Sequence, residues 1–331
     1  MPRAAVAALG TFVPDRVVTN QELTRLMETS DEWIVQRTGI RERRWVGEGM
    51  GNSDMALEAT RRALGRAGWK ASDIEAIVYA TLSTDHMFPG DGCFLNAKLG
   101  IPGVPALDIR NQCSGFIYGL SVADAWIRTG QYRRVLLVGS EVHSTGLDVS
   151  TRGRDVAVIF GDGAGAALLE ATDDPSRGVL STHLHADGRF ARELWTDAPG
   201  SFYHPRVQPR MLEDGSIFPR MEGQKVFKHA IVKMPEVVRE ALAKNGLAPS
   251  DIKVLIPHQA NLRISEMVQR GLELSDDQVF NNIQKYGNTT AASIPLCLEE
   301  AVEARGVKRG DLVALAAFGA GFTWASALLR W

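Results

Sequence analysis

Ala63-Leu64-Gly65-Arg66-Ala67-Gly68-Trp69-Lys70-Ala71-Ser72-Asp73-Ile74-Glu75-Ala76-Ile77-Val78-Tyr79-Ala80 is answered later in the chain by Ala241-Leu242-Ala243-Lys244-Asn245-Gly246-Leu247-Ala248-Pro249-Ser250-Asp251-Ile252-Lys253-Val254-Leu255-Ile256-Pro257-His258. The two stretches align without a gap, and Ala63, Leu64, Gly68, Ser72, Asp73 and Ile74 meet identical residues. Each reads as the end of a helix, a turn with a Ser-Asp start signal, and an apolar run of strand length. The likeness extends further. The helical pattern after Cys113 and the run Val135-Leu136-Leu137-Val138-Gly139 correspond to the pattern after Asn288 and the run Leu312-Val313-Ala314-Leu315-Ala316. Such self-similarity marks a duplicated unit. Strands alternating with helices imply an α/β fold of largely parallel sheets covered by helices. Two βαβαβ halves are expected, 1–175 and 176–331, with the seam in the polar, turn-rich stretch Ala171–Gly178.

Composition bounds the function. A 331-residue chain, 45% hydrophobic and 23% charged, is globular and long enough for two packed halves. A net charge of −2 gives no basic footprint for nucleic acid. Cys93, Cys113 and Cys297 are odd in number and lack CxxC spacing, which excludes the usual zinc patterns and suggests a reducing compartment. The first ten residues faintly resemble a signal peptide, but their apolar run is too short and a first strand is the better reading. No apolar run reaches membrane-spanning length. The expectation is a cytoplasmic protein with no metal or other cofactor, no membrane contact and no nucleic-acid partner.

Cys113 stands out. The run Val104–Ile109 has strand length, and Phe116, Leu120, Ala123 and Ile127 follow at helical spacing. Cys113 therefore sits at a strand-to-helix turn, where N–H groups and the helix dipole favour a thiolate nucleophile. An inert buried cysteine fits the same stretch equally well. The repeat shifts that balance: it places Cys113 and Asn288 at equivalent turns and His258 at the matching strand end. Alone, such a histidine is more often structural, and such an asparagine is usually an N-cap.

Two further segments carry signals. Ser30–Trp45 holds four arginines and two tryptophans, either a solvated face or a clamp for phosphate and adenine. Gly161-Asp162-Gly163-Ala164-Gly165-Ala166 lacks the spacing of a phosphate loop, and close backbone packing is expected there. Residues 197–220 carry Pro199, Pro205, Pro209 and Pro219 and read as a long irregular loop of the kind that binds or covers a ligand.

Taken jointly, the cysteine elbow, Pro257–Ile264 (PHQANLRI), Tyr286–Ser293 (YGNTTAAS) and Phe318–Trp324 (FGAGFTW) make the chain resemble a β-ketoacyl-acyl-carrier-protein synthase III over essentially its whole length. The resemblance implies the thiolase fold, in which duplicated halves form five layers, α-β-α-β-α. It implies a catalytic triad of Cys113, His258 and Asn288. An acyl-CoA would acylate Cys113, with the N–H groups of Cys113 and Ala320 holding the oxyanion. Malonyl-acyl-carrier protein would then lose CO₂ and condense, His258 and Asn288 holding the enolate beside Phe318. Trp33, Arg37 and Arg152 match the family's CoA clamp, and Phe227 and Asn261 match its pantetheine tunnel. Arg263, with Lys225, Lys228 and Arg270, is either a basic patch that docks the acidic carrier protein or ordinary surface charge. Phe88 matches a residue reaching the partner's acyl pocket, so a homodimer is implied. Relatives that condense without losing CO₂ carry a Glu in the region that here reads Thr81–His86, whose only carboxylate is Asp85.

Three departures bear on the acyl donor. They are Ser114 in the elbow, two extra residues around Arg154-Asp155, and the length of the loop 197–220. An acyltransferase or condensing enzyme of specialised metabolism, with another donor or acceptor, is the alternative.

Overall fold

The computed structural model describes all 331 residues. One mixed sheet is built from β1 (Arg3–Phe12), β2 (Ala76–Ala80), β3 (Ala106–Ile109), β4 (Arg134–Glu141) and β5 (Gly163–Thr172), in the order β1-β5-β4-β2-β3. β2 runs parallel to β3 and β4, while β5 is antiparallel to β1 and β4. A second sheet repeats the plan with β6 (Gly178–Ala186), β7 (Ile252–Pro257), β8 (Leu312–Gly319) and β9 (Thr323–Arg330), in the order β7-β8-β9-β6. Its fifth strand is reduced to one parallel bridge, Leu255 to Val279. That bridge matches the pairing of Ile77 with Ala106 in the first half. Residues 173–177 connect β5 to β6.

The long helices are α1 (Asp31–Thr38), α2 (Asn52–Ala67), α3 (Asp91–Leu99), α4 (Gly115–Arg128), α5 (Gly223–Lys244), α6 (Leu262–Gly271) and α7 (Ser293–Ala304). Alternation along the strands assigns the layers. Val135 and Leu137 face inward, onto Leu120, Ala123 and Ile127 of α4 and Leu298 and Ala301 of α7. Leu136 and Val138 face outward, onto Met55, Ala59 and Ala63 of α2. In the second half Val254 and Ile256 join the inner core, and Leu255 joins Met234, Val238 and Val268 of α5 and α6. Sheets apolar on both faces need a helical cover on each side. Hence five layers result: α2 and α3, the first sheet, α4 and α7, the second sheet, then α5 and α6. The middle layer takes one helix from each half, so both halves close over a single inner core.

The glycine-rich segment packs as expected. A Cβ on Gly165 would lie 2.5 Å from Pro295, and one on Gly161 would lie 2.2 Å from the Tyr286 carbonyl oxygen. These contacts seat α7 and the turn before it against β5.

Candidate active site

The chain enters the elbow in a left-handed step. Gln112 (φ 42°) opens a 3₁₀ turn over Gln112–Ser114, and α4 starts at Gly115. The second half repeats the device: Thr290 (φ 49°), a 3₁₀ turn over Thr290–Ala292, then α7 from Ser293. The structural counterpart of Cys113 is therefore Ala291, not Asn288, which lies three residues earlier. The expected pairing of Cys113 with Asn288 is thus three residues out of step, because Asn288 belongs to the strand-like approach and bridges Phe160.

Cys113, His258, Asn288 and Phe318 all line one cavity of about 690 Å³, and Trp33, Arg37, Phe227, Lys228, Asn261 and Arg263 line it as well. A second cavity of about 490 Å³ also reaches Cys113, lined among others by His143, Trp195, Ile217, Pro219, Thr290 and Ala320. Cys113 thus stands in the wall between two chambers.

Each polar side chain around the sulfur is oriented by a neighbour. His258 ends β7, its N–H donating to the Ala316 carbonyl at 2.7 Å. Its Nδ1 lies 2.6 Å from Ser293 Oγ, while its buried Nε2 has no partner. Ser293 Oγ also accepts from the Gln259 N–H at 3.4 Å, which leaves its own proton for Nδ1. The imidazole proton then resides on Nε2, facing the cavity. Asn288 Oδ1 accepts from the Thr290 N–H at 2.8 Å, so the Nδ2 protons are the ones left free. Two donors accordingly serve the same chamber.

The thiol differs from expectation. Burial first, and the nearby Glu141 carboxylate second, push Cys113 up to about 12. The N–H groups of Cys113 and Ala320 and the Thr290 hydroxyl pull the other way. The elbow's dipole does not outweigh desolvation, and the resting sulfur is a thiol. Glu141 itself accepts from Leu82 N–H, Thr81 Oγ1 and Ser83 Oγ, the last at 2.5 Å, and burial raises it to about 7. It lines neither cavity.

Other sequence-predicted residues divide. Trp33 lies under two guanidinium groups, Arg37 at 4.4 Å and Arg154 at 4.9 Å from its ring centre. Arg152 is not among the residues at that mouth: it donates to Asp148 at 2.6 Å and to the Glu213 carbonyl at 3.1 Å. It braces the loop 197–220, whose Gly215 packs on its guanidinium. Asn261 caps α6 by accepting from the Arg263 N–H, and donates to the Arg37 carbonyl at 2.8 Å. Lys225 pairs with Glu193 at 2.8 Å, whereas Lys228, Arg263 and Arg270 stand exposed without an ion-pair partner. Phe88 is 82% exposed and lines neither chamber of its own chain. Ser114 Oγ donates to the Thr323 carbonyl at 3.2 Å, pinning the elbow to β9. Asp85 accepts from the N–H of Asn52 at the start of α2 and lines neither chamber. Sequence reasoning missed Arg154, Glu141, His143, Thr290 and Ser293; only Thr290 and Ser293 lay inside a quoted motif.

Buried ionisable groups set an acid response. Burial lowers His143 and His258 to about 3 and raises Glu141 and Asp91 to about 7. Between about pH 6.5 and 4.5 the unfolded chain protonates its histidines while the folded chain protonates its carboxylates, so the two effects oppose. Between about pH 4 and 3 the raised carboxylates no longer offset the histidine difference, and each histidine costs about 1.4 kcal/mol per pH unit. Asp148 and Glu240, held below their ordinary values, add to that loss. Denaturation free energy should thus stay nearly level from about pH 6.5 to 4.5 and fall steeply below about 4. A uniform decline from neutral pH would contradict this balance.

A buried cysteine at a helix-start elbow, two oriented donors beside it and a duplicated five-layer fold define a thiolase-fold condensing enzyme. The comparisons are more specific. The family model for 3-oxoacyl-[acyl-carrier-protein] synthase III matches residues 107–188, and its C-terminal model matches residues 242–331. The chain belongs to that family. A β-ketoacyl-[acyl-carrier-protein] synthase III of Rhodospirillum centenum is 47% identical, with 99% of each chain covered. The crystal structure of a 3-oxoacyl-[acyl-carrier-protein] synthase III from Aquifex aeolicus superposes with a TM-score of 0.90 at 39% identity, covering 99% of this chain and 100% of that one. The priming β-ketosynthase of the R1128 polyketide pathway superposes with a TM-score of 0.89 at 31% identity, covering 99% and 96%. No helix is long and apolar enough to cross a membrane.

Proposed function

We propose that the chain condenses an acyl-CoA primer with malonyl-acyl-carrier protein, through an acyl group carried on Cys113. The observation that carries this reading is Cys113 between two chambers, with the oriented His258 and Asn288 donors in one of them. The thiol attacks the primer's carbonyl while the N–H groups of Cys113 and Ala320 hold the oxyanion. The proton lost by Cys113 ends on the departing CoA sulfur. Trp33, Arg37 and Arg154 suit adenine and phosphate at the mouth, and Phe227 and Asn261 flank the way in. Lys228, Arg263 and Arg270 offer charge to an acidic carrier protein.

In the second half the malonyl group loses CO₂, and the electrons of that bond form an enolate. His258 Nε2–H and Asn288 Nδ2–H donate to its oxygen. Phe318, buried beside them, offers no solvation to the leaving carboxylate and so favours its loss. The enolate carbon attacks the acyl carbonyl, and Cys113 leaves as a thiolate that regains a proton from solvent. Glu141 and Asp85 stand outside both chambers with their oxygens engaged, and the one carboxylate on a chamber wall, Asp155, is exposed and lies 3.7 Å from Arg154, so no buried carboxylate is placed as a base for condensation without CO₂ loss. The 82% exposed Phe88 and 61% exposed Met87 suit a surface that a second copy of the chain covers.

The primer side favours more than a two-carbon group. A chamber of about 490 Å³ falls in the range that holds whole drug-sized ligands. Incubation with acyl-CoAs of increasing length, read by intact mass, should give one acyl adduct, faster with primers of several carbons than with acetyl-CoA. The adduct should vanish in Cys113→Ala. Labelling that survives this substitution, or none with any acyl-CoA, overturns the reading.

A further inference from the structure

The second chamber brings to Cys113 a side chain that the reaction above does not use. His143 follows β4 and lines that chamber together with Cys113 and Thr290. Its ring is buried, lies 4.6 Å from the Phe160 ring centre, and places Nε2 2.7 Å from Thr290 Oγ1. Its N–H donates to Asp162 Oδ1 at 2.7 Å, which fixes the backbone carrying the ring. Thr290 opens the turn that packs against the turn bearing Cys113, both line the same chamber, and the Thr290 hydroxyl is among the groups that favour the thiolate. Thr290 holds φ at 49°, a conformation that β-branched residues rarely adopt, and the Asn288 side chain secures its N–H.

We infer that His143 is a positioning residue for the nucleophile: its Nε2–H donates to Thr290 Oγ1 and thereby turns the Thr290 hydroxyl proton toward the Cys113 sulfur. The inference rests on Cys113 being the acyl acceptor. A threonine hydroxyl has one proton, which rotates to suit its surroundings. With Oγ1 already accepting from the imidazole, that proton goes to the atom it faces, and a thiolate there gains a charge-assisted hydrogen bond. Burial keeps His143 neutral at working pH, so it carries a single N–H. Glu141 beneath the elbow disfavours the thiolate. His258 shares the first chamber with Cys113 as a neutral group, and Arg110 lines the second chamber but is itself exposed. The pair therefore acts with the Cys113 and Ala320 N–H groups against burial and Glu141.

The test is the second-order rate constant for iodoacetamide at Cys113, resolved by peptide mass and followed from pH 7 to 9. His143→Leu and Thr290→Val should each displace the log-rate line downward about tenfold, roughly one pKa unit, without changing its slope. The double variant should fall no further than Thr290→Val alone, and Thr290→Ser should retain most of the wild-type rate. An unchanged rate in His143→Leu overturns the inference. A faster rate overturns it too, because the hydroxyl would then have been donating to the imidazole instead. Alkylation needs no acyl substrate. A downward displacement in a protein that no acyl-CoA labels would count against the proposed reaction and leave the pair standing.

Discussion

His258→Ala and Asn288→Ala are each expected to form the acyl-Cys113 adduct yet lose decarboxylation of malonyl-acyl-carrier protein by roughly 10²–10³-fold, the usual effect of removing one preorganised oxyanion donor. Neither side chain hydrogen-bonds the sulfur, whose polar neighbours are the N–H groups of Cys113 and Ala320 and the Thr290 hydroxyl. Acylation therefore keeps its own oxyanion donors when either is removed. The enolate has no such reserve: its donors are Nε2–H and Nδ2–H. Ser293→Ala extends the test, because Ser293 holds the proton on His258 Nε2 through the 2.6 Å contact at Nδ1. That variant should lose roughly tenfold in CO₂ release and nothing in acylation, as befits a neighbour that only fixes the tautomer. Radiolabelled CO₂ release and intact mass separate the two half-reactions. Loss of acylation in His258→Ala, or unchanged decarboxylation in either donor variant, would remove the division of labour.

The duplicated unit was legible because both faces of each central strand are buried, so Ala76–Ala80 and Ile252–Pro257 are near-continuous apolar runs that survive divergence. The fifth strand of the second half was not, since a single bridge at Val279 needs no strand-like sequence. Cys113, His258 and Asn288 were legible as members of motifs, and the structure lines one chamber with all three. Arg152 was misread for a physical reason. Arg152 and Arg154 are two residues apart, and only the short helical turn at Arg154–Ala157 decides which one points at Trp33. The second chamber was invisible because its lining comes from the elbow, the end of β4, Trp195 and the loop at Ile217 and Pro219, segments far apart in sequence. His143 followed a strand as an ordinary polar residue, and nothing local announces a partner at Thr290. The thiol's environment was misjudged because helix-dipole stabilisation is visible in a pattern, whereas desolvation depends on what covers the sulfur.

Gly319→Ala is expected to abolish acylation of Cys113 while leaving a folded, less stable protein. Gly319 closes β8, paired with Thr323 of β9, and passes directly over the elbow. A Cβ there would lie 2.6 Å from Cys113 Cβ, 3.0 Å from its sulfur and 3.2 Å from its nitrogen. The Cβ of Cys113 is fixed by the backbone of the turn before α4, so one of the two chains must move. Either movement separates the sulfur from the Ala320 N–H, the next residue along and half of the oxyanion pair. Loss of one such donor alone costs roughly 10²–10³-fold, and here the sulfur is displaced as well. The stability loss should be about 1–3 kcal/mol, the usual cost of overpacking a filled site. Gly65→Ala is the control: it is exposed in α2, meets open space, and should stabilise by about 0.5–1 kcal/mol with acylation intact. Normal acylation in Gly319→Ala would mean that the elbow and the end of β8 separate freely, and that the Ala320 N–H is not what holds the oxyanion. The absence of a side chain at Gly319 is thus as much a part of the site as the thiol it faces, since only a bare backbone lets the second half bring a donor within reach of a nucleophile supplied by the first.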